Sequence, residues 1–114
     1  MQPNSLSEKL NNLNSGIDGV IASCFVGFDG LMIERAGKNN GLDVELISAT
    51  FATVIKSLKN KDNEITELMA IFEKDVVFIR VMEDGFICIV MGQDGNIGRA
   101  KLEAKRLGKK FMEQ

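Results

Sequence analysis

The chain has 114 residues, 45% of them apolar and 26% charged, with a net charge of -2. These values predict one globular domain over residues 1–114, with 1–4 as a flexible lead, and exclude a disordered chain. A near-neutral balance leaves no electrostatic footprint for DNA or RNA. No run reaches the roughly 18 uninterrupted apolar residues of a membrane span or forms a secretion signal, which predicts a cytoplasmic protein without direct membrane insertion.

Ser5-Leu6-Ser7-Glu8 has the form of a capping box, and Leu6, Leu10 and Leu13 follow on one helical stripe, so the chain opens on a short helix ended by Asn14-Ser15-Gly16. Ile17 to Phe28 reads as a strand, with Ile17, Gly19, Ile21, Ser23 and Phe25 on one face and Val20, Ala22, Cys24, Val26 and Phe28 on the other. Asp29-Gly30 is a hairpin signal, and Leu31 to Ala36 carries Glu34 and Arg35, as an outer strand can. After the loop Gly37 to Gly41, Asp43 is placed to cap a helix from Val44 to Asn60.

That helix has two stripes. Val44, Ile47, Phe51, Val54, Ile55 and Leu58 form the face expected to pack on a sheet. Leu46, Ala49, Thr50, Thr53 and Ser57, with Lys56 beside them, form a second stripe of small and weakly polar residues. A solvated face usually carries charges, whereas small residues let another helix approach closely, so this stripe is a candidate protein interface.

Three consecutive strands follow between Thr66 and Met91, the first Thr66 to Glu73 and the last Phe86 to Met91, with tight turns at Glu73-Lys74-Asp75 and Asp84-Gly85. Phe86 to Met91 has no polar residue on either face and, like Ile17 to Phe28, belongs at the centre of a sheet covered on both sides. The expected strand order is therefore 2-1-5-4-3, mostly antiparallel. The edge strand sets Leu68, Ala70 and Phe72 against Glu67, Met69 and Ile71, an apolar edge that pairing across a dimer would cover. A last helix opening at Asn96-Ile97-Gly98-Arg99 places Ile97, Ala100, Ala104, Leu107, Gly108 and Phe111 inward. Arg99, Lys101, Lys105, Arg106, Lys109 and Lys110 give it a mildly basic solvated face.

Catalytic chemistry is not written in the chain. It contains no His, Trp or Tyr, which removes the commonest general base and metal ligand. Gly92, Gly95 and Gly98 bracket a helix start without a Walker-type lysine, and Glu64 with Glu67 or Glu83 with Asp84 read as solvated turn residues. Cys24 and Cys88 are far apart in sequence and read as two reduced core thiols with no activating context. No cofactor and no metal are expected.

The order helix, hairpin, helix, three strands, helix carries a resemblance, together with Ile17-Asp18-Gly19-Val20 at the first strand, Asp29-Gly30-Leu31 at the first turn and Asn96-Ile97-Gly98-Arg99 at the last helix. In this combination the chain resembles the Roadblock family, which includes dynein light chains and MglB proteins, from about Leu6 to Phe111. Asp18 stands where many members carry proline, and the 114 residues hold none of the long tail of some members. The fold the resemblance implies is a Roadblock/profilin-like α/β sandwich, α-β-β-α-β-β-β-α, with helices on both faces of the sheet and Gly19, Val20, Asp29, Gly30, Asn96, Gly98 and Arg99 as structural positions.

It also implies a homodimer built by the second helix and third strand, with the sheet continuing across the two-fold axis. The interface residues are then Leu46, Ala49, Thr50, Thr53, Lys56, Ser57, Glu67, Met69 and Ile71. In the MglB branch the resemblance implies a non-catalytic regulator of a Ras-like small GTPase, which orders the GTPase's own catalytic residues without contributing an arginine. Two other readings are an adaptor in a motor or membrane-tethered complex, without effect on GTP turnover, and a small-ligand sensor with Gly19, Ala22, Ser23 and Gly27 lining a cavity.

Overall fold

The computed structural model describes residues 5–38, 42–59 and 63–112, with side chains as far as Leu107. Expectations placed on residues 1–4, on Asn39 to Gly41, on Asn60 and on the side chains of Lys109, Lys110 and Phe111 lie outside the described residues. The elements run α1 (Leu6–Gly16), β1 (Val20–Gly27), β2 (Met32–Gly37), α2 (Val44–Leu58), β3 (Glu67–Ile71), β4 (Asp75–Val81), β5 (Gly85–Gly92) and α3 (Ile97–Met112). The five strands form one sheet in the order β2-β1-β5-β4-β3, and every neighbouring pair is antiparallel. Both the order of elements and the order of strands are those expected from the sequence.

The sheet is covered on both faces. Leu10 and Leu13 of α1 with Ala100, Ala104 and Leu107 of α3 pack on Phe25, Phe78, Ile87, Ile89 and Met91. On the other face Val44, Ala52 and Ile55 of α2 pack on Ala22, Cys24, Val26, Val77, Ile79, Phe86, Cys88 and Val90. Phe86 to Met91 is at most 1% exposed throughout, which is why this strand has no polar position on either side.

Three local readings differ from the sequence expectation. Strand β1 starts at Val20, because Ile17 ends α1 and Asp18-Gly19 turns. Its alternation is also broken: the register with β5 shifts between Val20 and Ala22. At this bulge Val20 sits with the α1/α3 layer while Ile21 and Ala22 both sit with the α2 layer. A strict period of two had put Val20 with Ala22.

The third difference is the inward face of α2, which consists of Val44, Ser48, Ala52 and Ile55. Ile47, Phe51 and Val54 are half-buried, and Leu58 is 53% exposed. The helix turns toward its small residues because the β1–β2 turn comes up against it: a β-carbon on Gly30 would lie 3.4 Å from the Ala49 Cα and 3.7 Å from the Ala52 Cβ. Larger residues there would hold the helix off the sheet.

The motif at the entry to β1 and the motif at the start of α3 form one joint. Gly19 has φ +89°, and a β-carbon on it would lie 2.5 Å from the Gly95 Cα. The Gly92 N–H donates to the Gly19 carbonyl at 3.1 Å and the Asn96 N–H to the Asp18 carbonyl at 3.2 Å. Only glycine satisfies both the left-handed backbone and the contact. Asn96 then accepts the Arg99 N–H on Oδ1 at 3.0 Å, capping α3.

Glycine is also required at Gly85, where a β-carbon would overlap the Val26 carbonyl of the adjacent strand. We expect Gly85→Ala to destabilise the fold by about 2 kcal/mol in urea unfolding. Gly16→Ala, at the open end of α1 with no atom within 4 Å, is expected to stabilise it by about 0.5 kcal/mol in the same assay.

Candidate functional site

The outward stripe of α2 is built from the helix's own hydrogen bonding. Asp43 caps the helix, accepting the Leu46 N–H at 3.0 Å, and the hydroxyls along the exposed face all turn back onto it. Thr50 donates to the Leu46 carbonyl at 2.8 Å, Thr53 to the Ala49 carbonyl at 3.3 Å and Ser57 to the Thr53 carbonyl at 2.9 Å. With its Oγ1 on a carbonyl one turn back, each threonine needs no further partner for its proton and contributes a methyl group to the surface. Leu46 stands 63% exposed at the N-terminal end of this stripe. Glu45 and Lys56 border it, and no charge lies within it.

Strand β3 offers a second element. Phe72 donates its N–H to the Asp75 carbonyl at 2.7 Å, and Val81 donates to the Thr66 carbonyl at 2.8 Å. Alternate residues of an antiparallel strand bond to one neighbour only, so Leu68 and Ala70 bond toward β4. The N–H and C=O groups of Glu67, Met69 and Ile71 then point to the open edge. Ile71 is 72% exposed and Met69 39%. Glu67 is held by Arg80 at 3.1 Å and lies 4.0 Å from Lys101 of α3, a partly exposed arrangement worth about 0.2–1 kcal/mol.

Leu68 and Ala70 pack with the α2 layer, while Glu67 reaches Lys101 of α3. The α2 stripe and the Met69/Ile71 side chains therefore lie on opposite faces of the sheet, and Ala49 of the stripe stands against Gly30 of the first hairpin. The unpaired backbone groups of Glu67, Met69 and Ile71 make the open edge of β3 the place where a further strand adds. Nothing in the sequence marks this; it follows from which residues of β3 bond to β4.

Leu58, expected inward from its spacing, joins the exposed surface. Half-buried Ile47, Phe51 and Val54 line the same flank. The signal was present in the sequence, since the apolar arc of this helix is wider than one sheet face covers. Leu31 and Ile33 are further exposed apolar residues, on the hairpin and outer strand of the opposite edge.

Of the remaining positions singled out in the sequence, Asp29 accepts the Leu31 N–H at 3.0 Å within the first hairpin, and Gly98 follows the Asn96 cap on an exposed turn. Arg99 pairs with Glu103 at 3.4 Å. The small residues considered as a cavity lining are not one. Gly19 abuts Gly95, Ala22 lies under α2, Gly27 closes the hairpin, and Ser23 donates to Asn14 Oδ1 at 2.6 Å to hold α1 on β1. A recess of about 230 Å³ lies elsewhere, between Phe28, Ile55, Ile65 and Val81 with Lys59, Glu64 and Glu83 at its rim. Among the described residues no group of three His, Cys, Asp or Glu side chains is placed to hold a metal ion, and no helix is long and apolar enough to cross a membrane.

The fold recurs in solved structures. A Roadblock/LC7 domain from Streptomyces avermitilis superposes with a TM-score of 0.82 over 96% of this chain and 97% of its own, at 10% identity. The chain has the Roadblock/LC7 fold. An MglB in a tetrameric arrangement matches with a TM-score of 0.78 over 90% of this chain and 82% of its own, at 12% identity. MglC from Myxococcus xanthus matches with a TM-score of 0.70 over 90% and 92%, at 20% identity. No family model and no curated protein matches the sequence. The Roadblock/LC7 fold is thus carried here by the pattern of elements at very low identity.

Because the stripe hydroxyls bond only to their own helix, their loss leaves no group elsewhere in the chain without a partner. Thr53→Ala is expected to raise stability in urea unfolding by a few tenths of a kcal/mol, the gain in helix propensity (about 0.3–0.7) less the back-bond; a loss above about 1 kcal/mol would place Thr53 in the core.

Proposed function

We propose that the chain is a single-domain, non-catalytic regulator that pairs with a second copy of itself through α2 and β3 and, as a dimer, binds a Ras-like small GTPase in the cytoplasm. The observation that carries the reading is the charge-free outward stripe of α2, together with the open edge of β3. Leu46, Ala49, Thr50, Thr53 and Ser57, flanked by Lys56, form the helix part of the interface, and Glu67, Met69 and Ile71 the strand part. Small residues permit close helix approach, and an open apolar edge is a template for strand pairing. The MglB and MglC likenesses support the choice of a GTPase as partner.

Sedimentation equilibrium tests the first half. The expected species is twice the 12.5 kDa chain mass, Thr53→Arg shifts it to the monomer without unfolding, and Lys105→Glu on the far face leaves it intact. A dimer unaffected by Thr53→Arg would take α2 out of the interface.

Single-turnover GTP hydrolysis by the cognate Ras-like GTPase tests the second half. A saturable acceleration on adding the wild-type dimer is the expected result. Saturable binding with unchanged turnover would make the chain an adaptor instead, and absence of binding would remove the GTPase.

A further inference from the structure

Cys24 and Cys88 are direct cross-strand partners on β1 and β5. Both point to the α2 face and are 1% and 0% exposed. Directly opposed residues of an antiparallel pair have Cα atoms about 4.5–5.5 Å apart, inside the ~4.4–6.8 Å range that a disulfide spans. Both thiols are reduced in the structure. Distant positions in the chain have become a two-thiol cluster through the adjacency of the two central strands.

The surroundings distinguish the two sulfurs. Ser48, fully buried on the inward face of α2, places its Oγ 3.9 Å from the Cys24 Sγ. Arg35 of β2 is the cross-strand partner of Cys24 on its other side. Hydrogen bonding with Cys88 lowers the Cys24 thiol from its ordinary value, and Ser48 and the Arg35 charge act in the same direction against burial. The same neighbour and burial push Cys88 well up. Cys24 thus has the activating context that its sequence neighbours did not reveal.

We propose that Cys24 and Cys88 form a two-thiol redox site, in which a hydroperoxide oxidises Cys24 and the pair closes as a cross-strand disulfide within one chain. The Cys24 thiolate attacks the peroxide, the O–O bond breaks, and the leaving oxygen departs as an alcohol or water after taking up a proton. Cys24 becomes a sulfenic acid. The Cys88 sulfur then attacks the Cys24 sulfur, the S–O bond breaks, and the hydroxyl leaves with the Cys88 proton as water. Two thiols and one hydroperoxide give one disulfide, one alcohol or water, and one further water.

Because α2 covers both sulfurs, oxidant reaches them only when that helix opens locally, so the reaction is slow relative to an exposed thiol. Its consequence falls on the same helix. The disulfide removes the thiol proton available to Ser48, the hydroxyl on the inward face of α2, whose outward face carries the stripe described above.

The test uses the full chain treated with hydrogen peroxide under native conditions, then denatured, alkylated with N-ethylmaleimide and weighed by mass spectrometry without reductant. The expected product is a monomeric chain lighter by two hydrogen atoms, carrying no maleimide, and taking up two after dithiothreitol. In Cys88→Ala the expected product is a Cys24 sulfenic acid captured by dimedone. Two maleimides on the peroxide-treated wild-type chain, or a disulfide joining two chains, would overturn the site. Hydrogen exchange across Val44–Leu58 reads the consequence: faster exchange in the oxidised chain is expected, and unchanged exchange would overturn the link to α2.

Discussion

Strands β1 and β5 lie side by side with almost entirely apolar side chains on both faces, and each face must be covered to keep them from water. From that requirement follow the two helix layers, α1 with α3 on one side and α2 on the other. The outer strands β2 and β3 then fall to the edges, where Glu34, Arg35 and Glu67 are admissible. Close approach at the centre is secured by glycine at Gly85, whose neighbour is a backbone carbonyl that cannot move aside.

The same constraint leaves α2 working on two sides. It uses Ala49 and Ala52 to come down against the first hairpin, and its outward face has folded its hydroxyls onto its own carbonyls. A helix free in water gains from charges on its outer face through solvation and through pairs one turn apart. This one has a stripe of methyl groups and short side chains instead, which is suited to contact with protein. β3 carries its exposed apolar side chains on the other face of the sheet, so the two surfaces are separate.

The sequence reading went furthest where periodicity was unbroken. The doubly apolar runs at Ile17 to Phe28 and Phe86 to Met91 placed those strands in the middle, and strand order followed from the hairpins on either side. Caps at Ser5 and Asp43 were legible because a side-chain acceptor three residues before an N–H is a local geometry. The reading failed at Val20, where one extra residue in a bulge reverses the faces, and at Leu58, where an apolar arc wider than the sheet required a choice of which part to bury. The outward stripe of α2 and the residues of β3 were legible as residues. Their relation across the sheet was not.

Composition, caps and apolar periodicity determined the class of fold, the order of the elements and the absence of recognisable catalytic motifs, because these depend on residues close to one another in the chain. Tertiary structure decided what depends on register and approach between distant segments. It set Gly19 against Gly95, turned the backbone groups of Glu67, Met69 and Ile71 to the open edge, and paired Cys24 with Cys88 beneath Ser48. A side chain's type is fixed locally, but its partner is fixed by strand register, and a shift of one residue would exchange every one of those partners.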